Sequence, residues 1–275
     1  MYNKVYIEIT NICNMNCSFC HGHRRSPRQV NIEEFTYILD RLTDQTEYLY
    51  YHLMGEPLTH PQLPEFIKLA GERGYKSIIT TNGTLLKKHS QELLASGVHK
   101  INISLHSFEN GSDKDYKQYL CDLADFAKEA ETQGTIVIFR LWNKGFDHGK
   151  NQVAYDLLKE KIPGDWVESP RGIRIRNKIY LVGGERFEWP DREAEIKGDT
   201  FACYGLKDQF GILADGTVVP CCLDSDGVIN LGNIFEEDIE TILDSPRAKN
   251  LVEGFKCGIA TEELCKRCGY SQRFV

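Results

Sequence analysis

Up to about residue 182 the chain alternates short strand-forming runs with longer amphipathic stretches, and no other feature restricts its fold as much. Strands are expected over residues 5–9, 48–53, 77–81, 100–105, 135–141 and 173–175, the last with an extension over 179–182. Between them, apolar spacings of three and four residues predict helices over 31–42, 64–73, 85–96, 115–132 and 152–161. Asn31 followed by Glu34 reads as a capping box, and Gly74 and Gly97 stand where helices would end. Such alternation predicts parallel strands joined by helical crossovers. Parallel sheets of this kind place their chemistry at the C-terminal ends of the strands.

Directly after the first strand comes Cys13-Asn14-Met15-Asn16-Cys17-Ser18-Phe19-Cys20, a C-x3-C-x2-C run. Three thiolates can hold only three corners of a cubane iron-sulfur cluster, so one iron is left open. Zinc sites usually bring four ligands, often as C-x2-C pairs. The 275 residues hold ten cysteines, no signal peptide precedes the first strand, and no apolar run approaches the ~20 residues of a membrane span. A cytoplasmic protein that spends its cysteines on metal is the expectation. Hydrophobic residues at 41% and charged residues at 27% suit a soluble globular chain, and a net charge of −7 argues against a nucleic-acid partner.

The other strand ends carry polar groups. Gly55-Glu56-Pro57 follows strand two, Thr81-Asn82-Gly83 ends strand three, and Ser104-Leu105-His106 ends strand four. Strand five contains Arg140, which can point into the barrel or out to solvent. In Ile173-Arg174-Ile175-Arg176 the alternation puts both arginines on one face, either inward toward a polar substrate or outward on an edge strand. Residues 183–200 read as a linker. From 201 to 275 a hairpin is expected around Asp215-Gly216, with a type I′ turn, followed by short helices over 237–243 and 247–252, the second started by Ser245-Pro246. Cys203, Cys221, Cys265 and Cys268 converge on one four-thiol site, for zinc or a second cluster. Cys121, Cys222 and Cys257 are left to explain, Cys222 and Cys257 being read as non-ligands.

The cysteine run, the aromatic Phe19 before its last cysteine, and Gly55-Glu56-Pro57 at the next strand end together resemble the radical S-adenosylmethionine (SAM) superfamily. The resemblance implies an α/β fold, a partial (β/α)6 barrel, with Cys13, Cys17 and Cys20 on a 4Fe-4S cluster whose open iron is chelated by SAM. It implies Phe19 against the adenine, Gly55, Glu56 and Pro57 at the SAM amino group, Asn82 and Ser104 nearby, and Arg140 toward the carboxylate. The tail, with Asp215-Gly216-Thr217-Val218-Val219-Pro220-Cys221-Cys222, resembles the twitch form of SPASM domains: a small β-hairpin plus helix unit with one auxiliary 4Fe-4S cluster on Cys203, Cys221, Cys265 and Cys268. Size and cysteine layout are similar to those of aminocyclitol dehydrogenases in the family. This implies a flavodoxin or ferredoxin reductant, a 5′-deoxyadenosyl radical, and oxidation of a small-molecule alcohol with the auxiliary cluster as electron acceptor. Arg174 and Arg186 are then candidates to act on the hydroxyl. Peptide modification is the alternative.

Overall fold

The computed structural model describes residues 1–108 and 111–274. Its first part runs β1 (Lys4–Ile7), α1 (Ile32–Arg41), β2 (Tyr48–Tyr50), α2 (Leu63–Glu72), β3 (Lys76–Thr81), α3 (Leu86–Ala95), β4 (Lys100–Ser104), α4 (Asp113–Thr132), β5 (Ile136–Lys144) and α5 (Lys150–Lys161). Next come β6 (Val167–Ser169), β7 (Gly172–Arg174) and β8 (Ile179–Glu185), then β9 (Gln209–Ile212), β10 (Val218–Val219), α6 (Ile239–Leu243), α7 (Pro246–Lys256) and α8 (Glu263–Lys266). One sheet holds all ten strands in the order β10-β9-β1-β2-β3-β4-β5-β8-β7-β6. Its middle is the parallel run β1 to β5 and β8, a partial barrel with helical crossovers.

Strand alternation separates two environments. In β4 (Lys-Ile-Asn-Ile-Ser), Ile101 and Ile103 are fully buried toward the helices, whereas Lys100, Asn102 and Ser104 line the interior cavity. The helices answer the outward face with their own apolar stripes: Phe35 and Ile38 on α1, Phe66 and Ile67 on α2, Leu120 and Leu123 on α4. The rings of Phe35 and Phe66 stack at 4.3 Å, each burial contributing about 1.5–3 kcal/mol. Barrel interiors are ordinarily filled by branched apolar side chains; here polar side chains set among aromatic ones leave a cavity of about 720 Å³.

Local signals hold at the helix ends. Asn31 and Glu34 form the reciprocal capping box, and Gly74 and Gly97 take left-handed φ of +85° and +81° after their helices. Helix α4 starts before the expected residue 115 because Ser112 caps it by accepting from Asp115 N. Ser245 caps α7 in the same way, with Pro246 in its first turn.

Two expectations are corrected. Residues 173–175 do not supply the sixth parallel strand. β7 instead pairs antiparallel with both β6 and β8, and β8 takes the place beside β5. The 209–219 hairpin forms, but not with a type I′ turn. Only Gly216 has positive φ (+87°), its N–H donates to Leu213 O at 2.9 Å, and Asp215 Oδ1 accepts from Thr217 N, so a longer loop closes the strands. The hairpin also joins the barrel sheet, β9 lying parallel to β1 with Lys4 opposite Gln209. Among the described residues no helix is long and apolar enough to cross a membrane.

Candidate active site

The loop after β1 carries Cys13, Cys17 and Cys20, and the next strand ends lock it in place. Glu56 N donates to Ile12 O at 2.9 Å, and Thr59 Oγ1 donates to the same oxygen at 3.3 Å. Gly55 makes this approach possible: its φ is +76°, and a Cβ there would lie 2.3 Å from Thr10 O. Asn82 Nδ2 donates to Asn14 Oδ1, Asn14 Nδ2 donates to Thr84 Oγ1, and Thr84 in turn donates to Asn82 Oδ1, a closed ring that clamps the cysteine loop onto the end of β3. The Asn82 side chain is thus spent on the loop. Within the loop, Met15 N points at Cys13 Sγ (3.4 Å) and Cys17 Sγ reaches Ser107 O (3.6 Å). Amide donors to cluster thiolates are one of the means by which proteins tune such centres.

Glu56 is 2% exposed and accepts from Asn82 N (2.7 Å) and Leu58 N (3.1 Å). Burial pushes its carboxyl up to about 7 against the opposing effect of these donors. Phe19 packs on His106 at 4.8 Å, and His106 Nδ1 lies 3.2 Å from Arg140 O. Ser104 and Arg140 are direct neighbours across the β4–β5 register, both lining the cavity. The Arg140 guanidinium is buried beside Tyr6 and Tyr50, and among the described residues no carboxylate lies within ion-pair distance of it.

The two candidate catalytic arginines part company. Arg186, just past β8, lines the cavity, donates to Ser18 O at 3.4 Å and lies over the Phe19 ring at 5.8 Å. Arg174 belongs to the outer hairpin, is 44% exposed, sits 3.8 Å from Asp165 and does not line the cavity. Its neighbour Arg176 pairs with Glu131 at 2.9 Å. The arginine pair therefore faces outward, and Arg174 is dropped as a catalytic candidate.

Across the cavity, Cys203, Cys221, Cys265 and Cys268 sense one another. Burial, then mutual repulsion, pushes Cys221 and Cys265 well up, and burial raises Cys268 to about 11. Gly205 N points at Cys203 Sγ at 3.5 Å. Among the described residues no three His, Cys, Asp or Glu side chains converge tightly enough to hold a single metal ion. Four half-buried thiols around a shared space are the donor set of a four-cysteine metal centre. Cys222 points instead to the Tyr6 hydroxyl, Cys257 caps α7 at the exposed surface, and Cys121 sits on α4.

One set of positioning residues escaped the reading of the motifs. Glu8, fully buried at the end of β1, accepts two bonds from Arg25 (2.6 and 2.7 Å), one from Met54 N (3.2 Å) and one from Ala214 N (3.0 Å). Arg25 also donates to Ser225 O, Arg24 N to Asp226, and Arg28 to Ala214 O. The signal was present as the basic run His21-Gly22-His23-Arg24-Arg25-Ser26-Pro27-Arg28, directly after Cys20. These arginines bind the cysteine loop to the loops around Cys221.

Cys13, Cys17 and Cys20 thus line the same cavity as Cys203, Cys221, Cys265 and Cys268. Comparison with known proteins agrees with this layout. The profile of the radical SAM superfamily matches residues 7–138, and that of the SPASM iron-sulfur cluster-binding domain matches 203–269. A probable GTP 3′,8-cyclase of Methanothermobacter marburgensis is 31% identical over 262 residues, covering 82% of this chain and 85% of its own length. Several other GTP 3′,8-cyclases match over only 33% to 38% of their length. The structure of BtrN with AdoMet and 2-DOIA superposes with a TM-score of 0.62 at 17% identity, covering 98% of this chain and 93% of that one. Streptococcus suis SuiB bound to S-adenosylmethionine gives 0.64 at 20% identity, covering 98% and 72%. At these identities the structures speak for the fold alone. By profile, by full-length relative and by fold, the chain belongs to the radical SAM superfamily and carries a SPASM domain, a combination that implies SAM and two 4Fe-4S clusters as its cofactors.

Proposed function

We propose that this radical SAM enzyme oxidises a hydroxyl of a small polyol, of sugar or aminocyclitol type, in the cavity between its two cysteine sets. One observation carries the reading: both sets line the same cavity, which a small molecule can fill. Cys13, Cys17 and Cys20 would hold the first cluster, and Cys203, Cys221, Cys265 and Cys268 the second. When bound, SAM and the first cluster would supply a radical that takes a hydrogen atom from carbon, the second cluster would accept the electron left behind, and the hydroxyl proton would pass to solvent water.

The chain's own groups prepare this. Glu56 receives the SAM ammonium, Ser104 and Arg140 the carboxylate, and Phe19 the adenine, with Gly55 and Pro57 shaping the loop. Asn82 acts through Asn14, holding the cysteine loop at its distance from the cavity. Arg186 orients rather than deprotonates, since a guanidinium offers donors and no acceptor. Residues 1–182 and 201–275 serve as the barrel and the cluster-binding unit, and a flavodoxin or ferredoxin delivers the first electron.

A second reading, radical rearrangement of a purine nucleotide, draws on the GTP 3′,8-cyclase names of the relatives. The experiment is anaerobic reconstitution followed by iron analysis and product balance. About eight irons per chain are expected, falling to about four in a Cys203→Ala, Cys265→Ala double variant that keeps its SAM-responsive EPR signal. One 5′-deoxyadenosine per ketone formed from a polyol supports the proposal. A redox-neutral nucleotide product, or turnover of a peptide alone, would sink it.

A further inference from the structure

The floor of the cavity carries charges that none of the groups described above neutralises. Lys100 opens β4 and Lys4 opens β1, both facing the same interior, and their positive charges are felt by one another and by Arg140. Among the described residues, no carboxylate lies within ion-pair distance of any of the three. Three like charges in a partly desolvated space cost energy until an anion joins them.

Beside these cations stand two polar atoms without partners. Asn102 is fully buried; its Nδ2 donates to Ile79 O (3.3 Å) and Thr80 Oγ1 (3.2 Å), which fixes the amide so that Oδ1 is the atom left open. His52 Nδ1 is likewise buried with no partner, and burial beside Arg140 holds the ring neutral at about 3. Both atoms are closed to solvent and stand unmet just behind the cationic lining.

We infer that the cavity floor is a subsite for the acidic end of the substrate: Lys100, with Lys4 and Arg140 adding charge, takes a phosphate or carboxylate. Four residue steps along β4 take Lys100 to Ser104 at the rim, about 13 Å at ~3.3 Å per step. The substrate is therefore extended, with its reacting carbon at the rim and its anion at the floor. This inference rests on the cavity being the substrate site, and it narrows the polyol to an acid-bearing one.

The test is calorimetric titration of the anaerobically reconstituted, SAM-loaded protein with inorganic phosphate and, separately, with acetate. Binding of phosphate assigns a phosphoryl group, and binding of acetate alone assigns a carboxylate. In either case Lys100→Met weakens binding at least tenfold and Lys100→Arg preserves it within about threefold, which also shows that the position tolerates substitution. Lys68→Met, an exposed control on α2, leaves it unchanged. The inference is overturned if neither anion binds the parent, or if Lys100→Met and Lys68→Met lower affinity equally. Dithionite-driven 5′-deoxyadenosine formation by the parent is scored independently: its absence removes the radical reading, whatever the anions do.

Discussion

Arg25→Met tests the claim that a buried ion pair couples the two halves of the site. The substitution keeps the length and apolar stem of the side chain but removes two bonds to Glu8 and one to Ser225 O. Glu8 is then left fully buried with only Met54 N and Ala214 N, at 3.2 and 3.0 Å, to solvate a full negative charge. Stripping one partner from a buried pair costs about 3–5 kcal/mol. For a chain of this size each kcal/mol moves Tm by about 2–4 °C, so a drop of about 6–20 °C is expected. Thermal unfolding of anaerobically reconstituted protein, followed by far-UV circular dichroism, measures it. A Glu8→Gln, Arg25→Met double variant relieves the orphaned charge and recovers part of the loss. The reasoning fails if Arg25→Met costs less than about 1 kcal/mol, or if the double variant is no more stable than the single.

Further outcomes follow from the same geometry. With Glu56 pushed up to about 7, the carboxylate proposed to meet the SAM ammonium is mostly present above pH 7 and lost below it. SAM affinity therefore falls about tenfold between pH 8 and 6, and Glu56→Gln binds weakly at every pH; equilibrium dialysis showing a flat parent profile would contradict this. Gly55→Ala forces a Cβ to within 2.3 Å of Thr10 O at φ +76°, so iron content should drop to about four per chain as the first cluster fails to assemble; eight irons would disprove the tight docking. Cys222→Ala should keep about eight irons, because its thiol faces Tyr6, and a fall to about four would make Cys222 a ligand in place of one of its neighbours.

Much of this was local and therefore readable. The strand–helix alternation, the Asn31 capping box and the glycines closing α1's neighbours α2 and α3 are decided within a few residues, and they appear where expected. Cysteine spacing after β1, with Gly55-Glu56-Pro57 at the end of β2, likewise carries its chemistry in short motifs, which is why the family could be named from them. The polar inward face of β4 was written in the alternation of Lys100, Asn102 and Ser104, though only a closed cavity gives those residues a meaning.

What the tertiary structure alone decided was pairing at long range. Residues 173–175 and 179–185 are both strand-like, and choosing which lies beside β5 depends on register across the sheet rather than on either segment; the choice turned Arg174 outward. The placement of β9 on β1, more than two hundred residues apart, and the closure of Glu8 on Arg25 and Ala214 are of the same kind. Sequence by itself determined which chemistry the chain can carry, because ligand spacing and turn residues act locally. Only the fold decided that two cysteine sets share one cavity above a cationic floor, because that depends on burial and charge contributed by strands far apart in the chain.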